Sequence, residues 1–349
     1  MSYSTIDKPT DYFNTVTYTG SAGGQTISGV GNQPDFIWVK QTGDAGYDHS
    51  LHNSVSGVLK QLISNSTSAE ITNTDTVTST NADGFVLGAD TAGPNANSNN
   101  QDGKTYVAWN WKAGGSASNN TDGSITSSVS ASTDAGFSIV SYTGTGSNAT
   151  VGHGLGAAPN VIITKQKSGT QQWNFQSSMV GYSKYMALNT TDAAQATGGA
   201  IISSVSSTTY SCDGNSVVNA GSSATYVSFC FAEKQGYSKF GSYTGNGNVN
   251  GPFVNTGFKP AFVMVKRTDS TSDWLICDYA RNPSNVVNKK LFPNTNGAED
   301  SYDSFDILSN GFKIRSSGTG HNASGANMLY MAFAENPLVG SNFVPTTAR

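Results

Sequence analysis

Tyr18-Thr19-Gly20 opens a stretch that runs to Pro34-Asp35-Phe36-Ile37-Trp38-Val39-Lys40. It returns as Tyr142-Thr143-Gly144 to Pro159-Asn160-Val161-Ile162-Ile163-Thr164-Lys165. A third copy runs from Tyr243-Thr244-Gly245 to Pro260-Ala261-Phe262-Val263-Met264-Val265-Lys266. From Tyr to Pro the step is 16, 17 and 17 residues. An internal repeat of this kind decides the fold before any single element is read. The Tyr-Thr-Gly end reads as a β-branched, aromatic strand stopped by glycine. Pro sits at a strand start, where its missing N–H does least harm. The apolar run after it is hydrophobic on both faces, as in a central strand buried on each side.

The match extends outward from this stretch. Asn65-Ser66-Thr67-Ser68-Ala69-Glu70, Asn189-Thr190-Thr191-Asp192-Ala193-Ala194 and Asn294-Thr295-Asn296-Gly297-Ala298-Glu299 follow the repeat's Lys at 25, 24 and 28 residues. They read as turns in which Asn side chains bond their own backbone. Each unit closes on a strong strand: Tyr106–Trp111, Tyr226–Phe231 and Tyr330–Glu335. With period 2, Val107/Trp109/Trp111, Val227/Phe229/Phe231 and Met331/Phe333 share a face, which reads as the core of each unit. The opposite face carries Ala108, Ser228, Cys230, Ala332 and Ala334, small enough for a neighbouring domain to approach.

No helical period is sustained, so the chain is expected to be all-β: three tandem antiparallel β-sandwich, jelly-roll-like domains. The boundaries fall at 1–114, 115–235 and 236–349. Residues 114–123, rich in Gly, Ser and Asn, read as a flexible linker, and the end of the chain reads as an extended tail.

Composition narrows the function classes. Only 12% of residues are charged, but 10% are aromatic, enough to offset ordering entropy. Net charge is −4 with no basic run, so nucleic acid is not an expected partner. No apolar run approaches the ~20 residues that span a bilayer. Met1–Pro9 lacks an apolar core, so no signal peptide is expected. Cys212, Cys230 and Cys277 are too few for a disulfide framework. Cys212 falls in the slot of Leu87 and Ile314, as a buried small hydrophobe would.

No Gly-x-Ser-x-Gly elbow or His-Glu-x-x-His occurs. No catalytic, cofactor or metal residue is therefore assigned, and an enzyme is not expected. A paired-carboxylate glycosidase stays open, because its acids converge only in three dimensions. The candidate ligand-binding residues are Trp173, Trp274, Tyr47, His49 and His52. Trp173 and Trp274 each lie eight residues after the repeat's Lys. They read either as a sugar-stacking platform or as core, and unit one has Tyr47-Asp48 there. His49 and His52, at i and i+3, chelate only from a helical turn, and no third ligand is evident.

Tyr12-Phe13-Asn14-Thr15-Val16, Tyr106 to Gly115, Tyr237 to Gly245 and the Phe333-Ala334-Glu335-Asn336-Pro337 ending resemble a repeat family of structural proteins in tailed bacteriophages, many of them marine. The resemblance implies a virion protein on the particle exterior, assembled in the host cytoplasm. The implied role is a tail fibre or spike for host attachment. A head decoration protein is the alternative, and a polysaccharide depolymerase a remoter one. Implied partners are other virion proteins, further copies of the chain (a trimer favoured) and a host surface glycan or protein, without membrane insertion. Function is expected where the copies differ, in the loops Tyr47–Asn53, Gly169–Gly181 and Ser270–Asn288.

Overall fold

The computed structural model describes residues 4–91, 98–196, 201–221 and 223–339. Among them the chain forms 28 strands, two four-residue helical turns and one 3-10 turn. All strand pairs within the sheets are antiparallel. The protein is all-β, as expected.

Every unit is a sandwich of two sheets, a large and a small one in units one and two and two four-stranded ones in unit three. The large sheet, or its four-stranded counterpart in unit three, has an opening strand (Phe13–Thr19, Phe137–Thr143, Ser238–Thr244) and a closing strand (Thr105–Trp111, Thr225–Phe231, Asn327–Pro337). Beside them lie a central strand (Phe36–Gln41, Val161–Gln166, Phe258–Arg267) and a fourth strand (Ser50–Asn53, Asn174–Ser177, Leu275–Asp278). The spatial order is opening, closing, central, fourth in all three units. The first and last strands of the repeat are thus hydrogen-bonded along their whole length: Phe13 pairs with Trp111 and Thr19 with Thr105. The small sheets are built from Gln25–Ile27, Gly84–Leu87 and Val77–Asn81, and from Ala149–Gly152, Thr209–Cys212 and Ile202–Val205. In unit three Phe253–Asn255, Gly311–Ile314 and Asp300–Leu308 take these places, with Val287–Lys290 at the edge.

The two faces of the closing strands are used in the reverse of the expected sense. The small face lies against its own small sheet: Ala108 packs with Ile27, Phe85 and Leu87, and Ala332 and Ala334 with Phe305, Phe312 and Ile314. The aromatic face meets the other two units. Trp38, Trp109 and Trp111, Phe229, Phe231 and Trp173, and Phe262, Met331 and Phe333 belong to one continuous buried cluster. Phe36 meets Phe229 at 4.3 Å between ring centroids, and Phe13 meets Phe333 at 5.2 Å. Three sheets facing a common centre leave wide space there, which large rings fill. A short sheet lying on the other face needs only small partners at about 10 Å separation. A void of about 20 Å³, lined by apolar side chains of all three units, is left at the centre.

The 114–123 stretch is not a free linker. Ser118–Asn120 is a strand that pairs with Ser127–Ser132, which in turn covers the opening strand of unit two. The end of the tail from residue 340, with Pro345, lies outside the described residues.

Candidate functional site

The repeated Tyr-Thr-Gly is a clasp. The Tyr hydroxyl donates to the carbonyl of Asn99 (2.9 Å), Val218 (2.6 Å) or His321 (2.6 Å). The next residue in each case is a fully buried Asn: Asn100, Asn219 or Asn322. Its side-chain oxygen accepts from the backbone N–H after the Gly, at Ser21 (3.1 Å), Thr145 (2.7 Å) and Asn246 (2.9 Å). Its amide donates to carbonyls of the same turn: Gly23, Ser147 and Asn248. The glycine is required because a Cβ on Gly20, Gly144 or Gly245 would overlap the carbonyl of Gln101, Ala220 or Ala323. The clasp ties the opening strand to the approach of the closing strand. The buried Asn was missed in the sequence. Its signal is an Asn six to eight residues before the closing-strand Tyr in all three units.

Four of the five candidate binding residues belong to the scaffold. Trp173 and Trp274 are fully buried, so neither offers a face to a sugar, and the core reading holds. Each indole N–H donates across a seam between units: Trp173 Nε1 to Ile63 O at 2.8 Å, Trp274 Nε1 to Ala187 O at 3.1 Å. Their counterpart in unit one is His49, one residue later than spacing indicated. The backbone N–H groups of His49, Trp173 and Trp274 all donate to a seam Asn, at Asn65, Asn189 and Asn294. His49 Nδ1 accepts from Trp38 Nε1 at 2.9 Å, so the other ring nitrogen carries the hydrogen and donates to Phe292 O at 3.1 Å. Burial holds its pKa well below the usual imidazole value. The three seams close a ring: unit one on three, two on one, three on two.

A second bond repeats around the ring in the opposite sense, unit one on two, two on three and three on one. The N–H groups of Glu70, Ala194 and Glu299 donate to the carbonyls of Lys167, Thr268 and Thr42 at 2.8–2.9 Å. The Asn-Ser/Thr segments expected as plain turns are therefore the seam-forming parts of each unit. The repeat's lysines lie beside them, buried. Lys40 Nζ donates to Gln41 O (2.8 Å), Lys165 Nζ to Gln166 O (2.7 Å), and Lys266 Nζ to Arg267 O (2.8 Å). Burial lowers each pKa to about 8.

His52 is also buried, between the sheets of unit one. Its Nδ1 donates to Val58 O at 2.8 Å and its Nε2 accepts from Ser50 Oγ at 2.7 Å. The pattern matches a Ser–His pair, but in unit two Gln176 occupies the same strand position and donates to Tyr182 O at 3.2 Å. Tyr182 corresponds to Val58, so both side chains hold the same loop carbonyl. His52 and Gln176 are equivalent structural donors. Tyr47 is half-buried on the loop before His49, the one candidate of the five with solvent exposure. Among the described residues no group of three or more His, Cys, Asp or Glu is placed to hold a metal. The three cysteines are free and buried.

The seam between units one and three carries a copy-specific ion network. Arg281 Nε meets Asp278 Oδ2 at 2.6 Å and its Nη1 meets Glu299 Oε2 at 2.8 Å. Trp109 Nε1 donates to the same Asp278 oxygen at 3.1 Å. Arg281 sits in the longest version of one loop. Six residues separate the fourth strand from the next in units one and two, and eight in unit three.

That longer loop walls an open cleft of about 830 Å³ in unit three. Its lining includes Lys259, Tyr279, Asn285, Asn310, Glu335 and Asn336. Lys259 Nζ pairs with Glu335 Oε2 at 2.7 Å and sits 3.8 Å from the Tyr279 ring centre. Asn285 is committed to the loop: its amide donates to Ile307 O and its oxygen accepts from Ile307 N. The positions of Lys259 and Tyr279 are held by Gln33 and Ser54 in unit one and by Ala158 and Ser178 in unit two. Backbone bonds fix the second of these equivalences: Ser54, Ser178 and Tyr279 N–H donate to Asp35, Asn160 and Ala261. Of the variable loops, Ser270–Asn288 is the one that borders this cleft.

One family model spans this whole assembly, from residue 8 to residue 337. The chain belongs to the DUF7483 family, a domain of unknown function. The match runs through all three sandwiches, so the family domain is the three-unit body and not the single repeat. A search of curated proteins finds no match. No helix among the described residues is long and apolar enough to cross a membrane.

Proposed function

We propose that this DUF7483 protein is a bacteriophage virion structural protein on the particle exterior, of tail fibre or spike type, which attaches the particle to a host surface. One observation carries this reading. The residues repeated in all three units are spent on clasps and seams, whereas the copy-specific residues of unit three border an open cleft. A body whose repeated residues hold the scaffold and whose variable loops include the wall of an open cleft is suited to recognition and not to turnover. The resemblance of the repeat to phage structural proteins supports the location. Partners are then other virion proteins and a bacterial surface glycan or protein.

Purified protein should bind host cells and block adsorption of the phage. Failure to do either overturns the attachment reading. A second reading, head decoration, has one observation in its favour. A single chain with three units in a ring matches a threefold position on a shell without forming a trimer. Localisation on the particle by cryo-electron microscopy separates the two.

A further inference from the structure

We propose that the cleft of unit three is a binding site for a neutral saccharide, a hexopyranose of a surface glycan. The proposal rests on the attachment reading and names the ligand class and the residues. A volume of about 830 Å³ is in the range of small-ligand pockets, about 300–1,000 Å³. The lining combines the two features that a sugar ring needs. Tyr279, Pro283 and Leu308 offer apolar surface for ring C–H groups, and Asn310 and Asn336 offer amides for hydroxyls. Neither of these amides has a side-chain partner among the described residues, whereas Asn285 is fully engaged by Ile307.

Charge selects the neutral class. The cation of the cleft, Lys259, is compensated by Glu335 at 2.7 Å and held against Tyr279. An acidic sugar would find no spare positive charge and would lie beside a carboxylate. A neutral ring exchanges water bonds for amide bonds at no electrostatic cost. The cleft is confined to unit three because Lys259, Tyr279 and the two extra loop residues have no counterpart in the other copies.

The test is saturation-transfer NMR on the full chain with methyl glycosides of neutral hexoses and N-acetylhexosamines. Methyl glucuronide and N-acetylneuraminic acid serve as acidic probes. Neutral glycosides should bind, with Tyr279→Ala and Asn336→Ala each weakening binding about tenfold; Asn336→Ala should do so at unchanged melting temperature, which separates the loss from the packing of Tyr279 on the core. Glu335→Gln should release Lys259 and bring in the acidic probes. Absence of any neutral binding, or binding by both Ala variants as tight as by the unsubstituted chain, overturns the site. Host-cell adhesion measured in parallel keeps the two ideas apart. Adhesion retained by both variants leaves attachment standing and removes this cleft. Sugar binding without adhesion does the reverse.

Discussion

Asn219 shows how much one buried amide carries. Its oxygen holds the Thr145 N–H, its nitrogen holds the Ser147 carbonyl, and the residue before it receives the Tyr142 hydroxyl. Asn219→Ala removes both bonds from a turn at the sandwich end, leaves the Ser147 carbonyl only its bond from Thr145 Oγ1, and is expected to cost about 1–3 kcal/mol, read as a fall in denaturation midpoint. The three lysines at the seams act in the opposite direction. A folded pKa of about 8, against 10.5 unperturbed, means the unfolded chain holds more protons between these values. Each charged lysine therefore costs stability at neutral pH, on the order of 1–3 kcal/mol, and the cost fades as pH rises from 8 to 10.5. Lys165→Met should raise the melting temperature at pH 7, with the gain shrinking toward pH 10.5. A constant gain across that range would show that Lys165 keeps its ordinary pKa in the fold. Acid works through the histidines. His52 and His321 have pKa values lowered by burial to about 4, so stability should fall as pH drops from 6.5 to 4.

At the scale of elements, the sheets handle their edges in two ways. The opening strand of unit two is covered by Ser127–Ser132, and Ser130 pairs with Ile139. In units one and three the equivalent N–H groups, at Thr15 and Phe240, are capped by Asn14 Oδ1 (2.9 Å) and Glu233 Oε2 (3.2 Å). A capped edge does not template a foreign strand. Glu233→Ala removes the cap and the Lys239 pair, and concentration-dependent association should follow by light scattering. Monomeric behaviour at all concentrations would show the cap to be dispensable. The strands themselves were legible in the sequence, because period 2 and the Pro and Gly stops are local signals. The assignment of faces was not. Val161–Lys165 is buried throughout, so both faces of that strand look like core, and only the neighbours tell which core. The same limit applies to Trp173: spacing identified it as repeated, but its partner Ile63 O lies in another unit. The cleft was legible only as a place of difference, since Lys259, Asn310 and Glu335 come from three separate parts of unit three.

At the scale of the molecule, three sandwiches share one aromatic core and are joined by a closed ring of seams. An isolated unit would expose Val107, Trp109 and Trp111 or their equivalents to water, at about 25 cal/mol per Å² of apolar surface. The seam between units one and three has the added Asp278–Arg281–Glu299 network, with Asp278 and Arg281 buried. Arg281→Ala leaves buried Asp278 without its counter-ion and should cost about 3–5 kcal/mol. If the units are one body, that loss is felt by all three and not by unit three alone. Scanning calorimetry of the full chain, with and without Arg281→Ala, tests this most directly. The shared core predicts a single transition with calorimetric and van't Hoff enthalpies equal, moved as a whole to lower temperature by the substitution. Two or three separate transitions, with only one of them shifted, would contradict it.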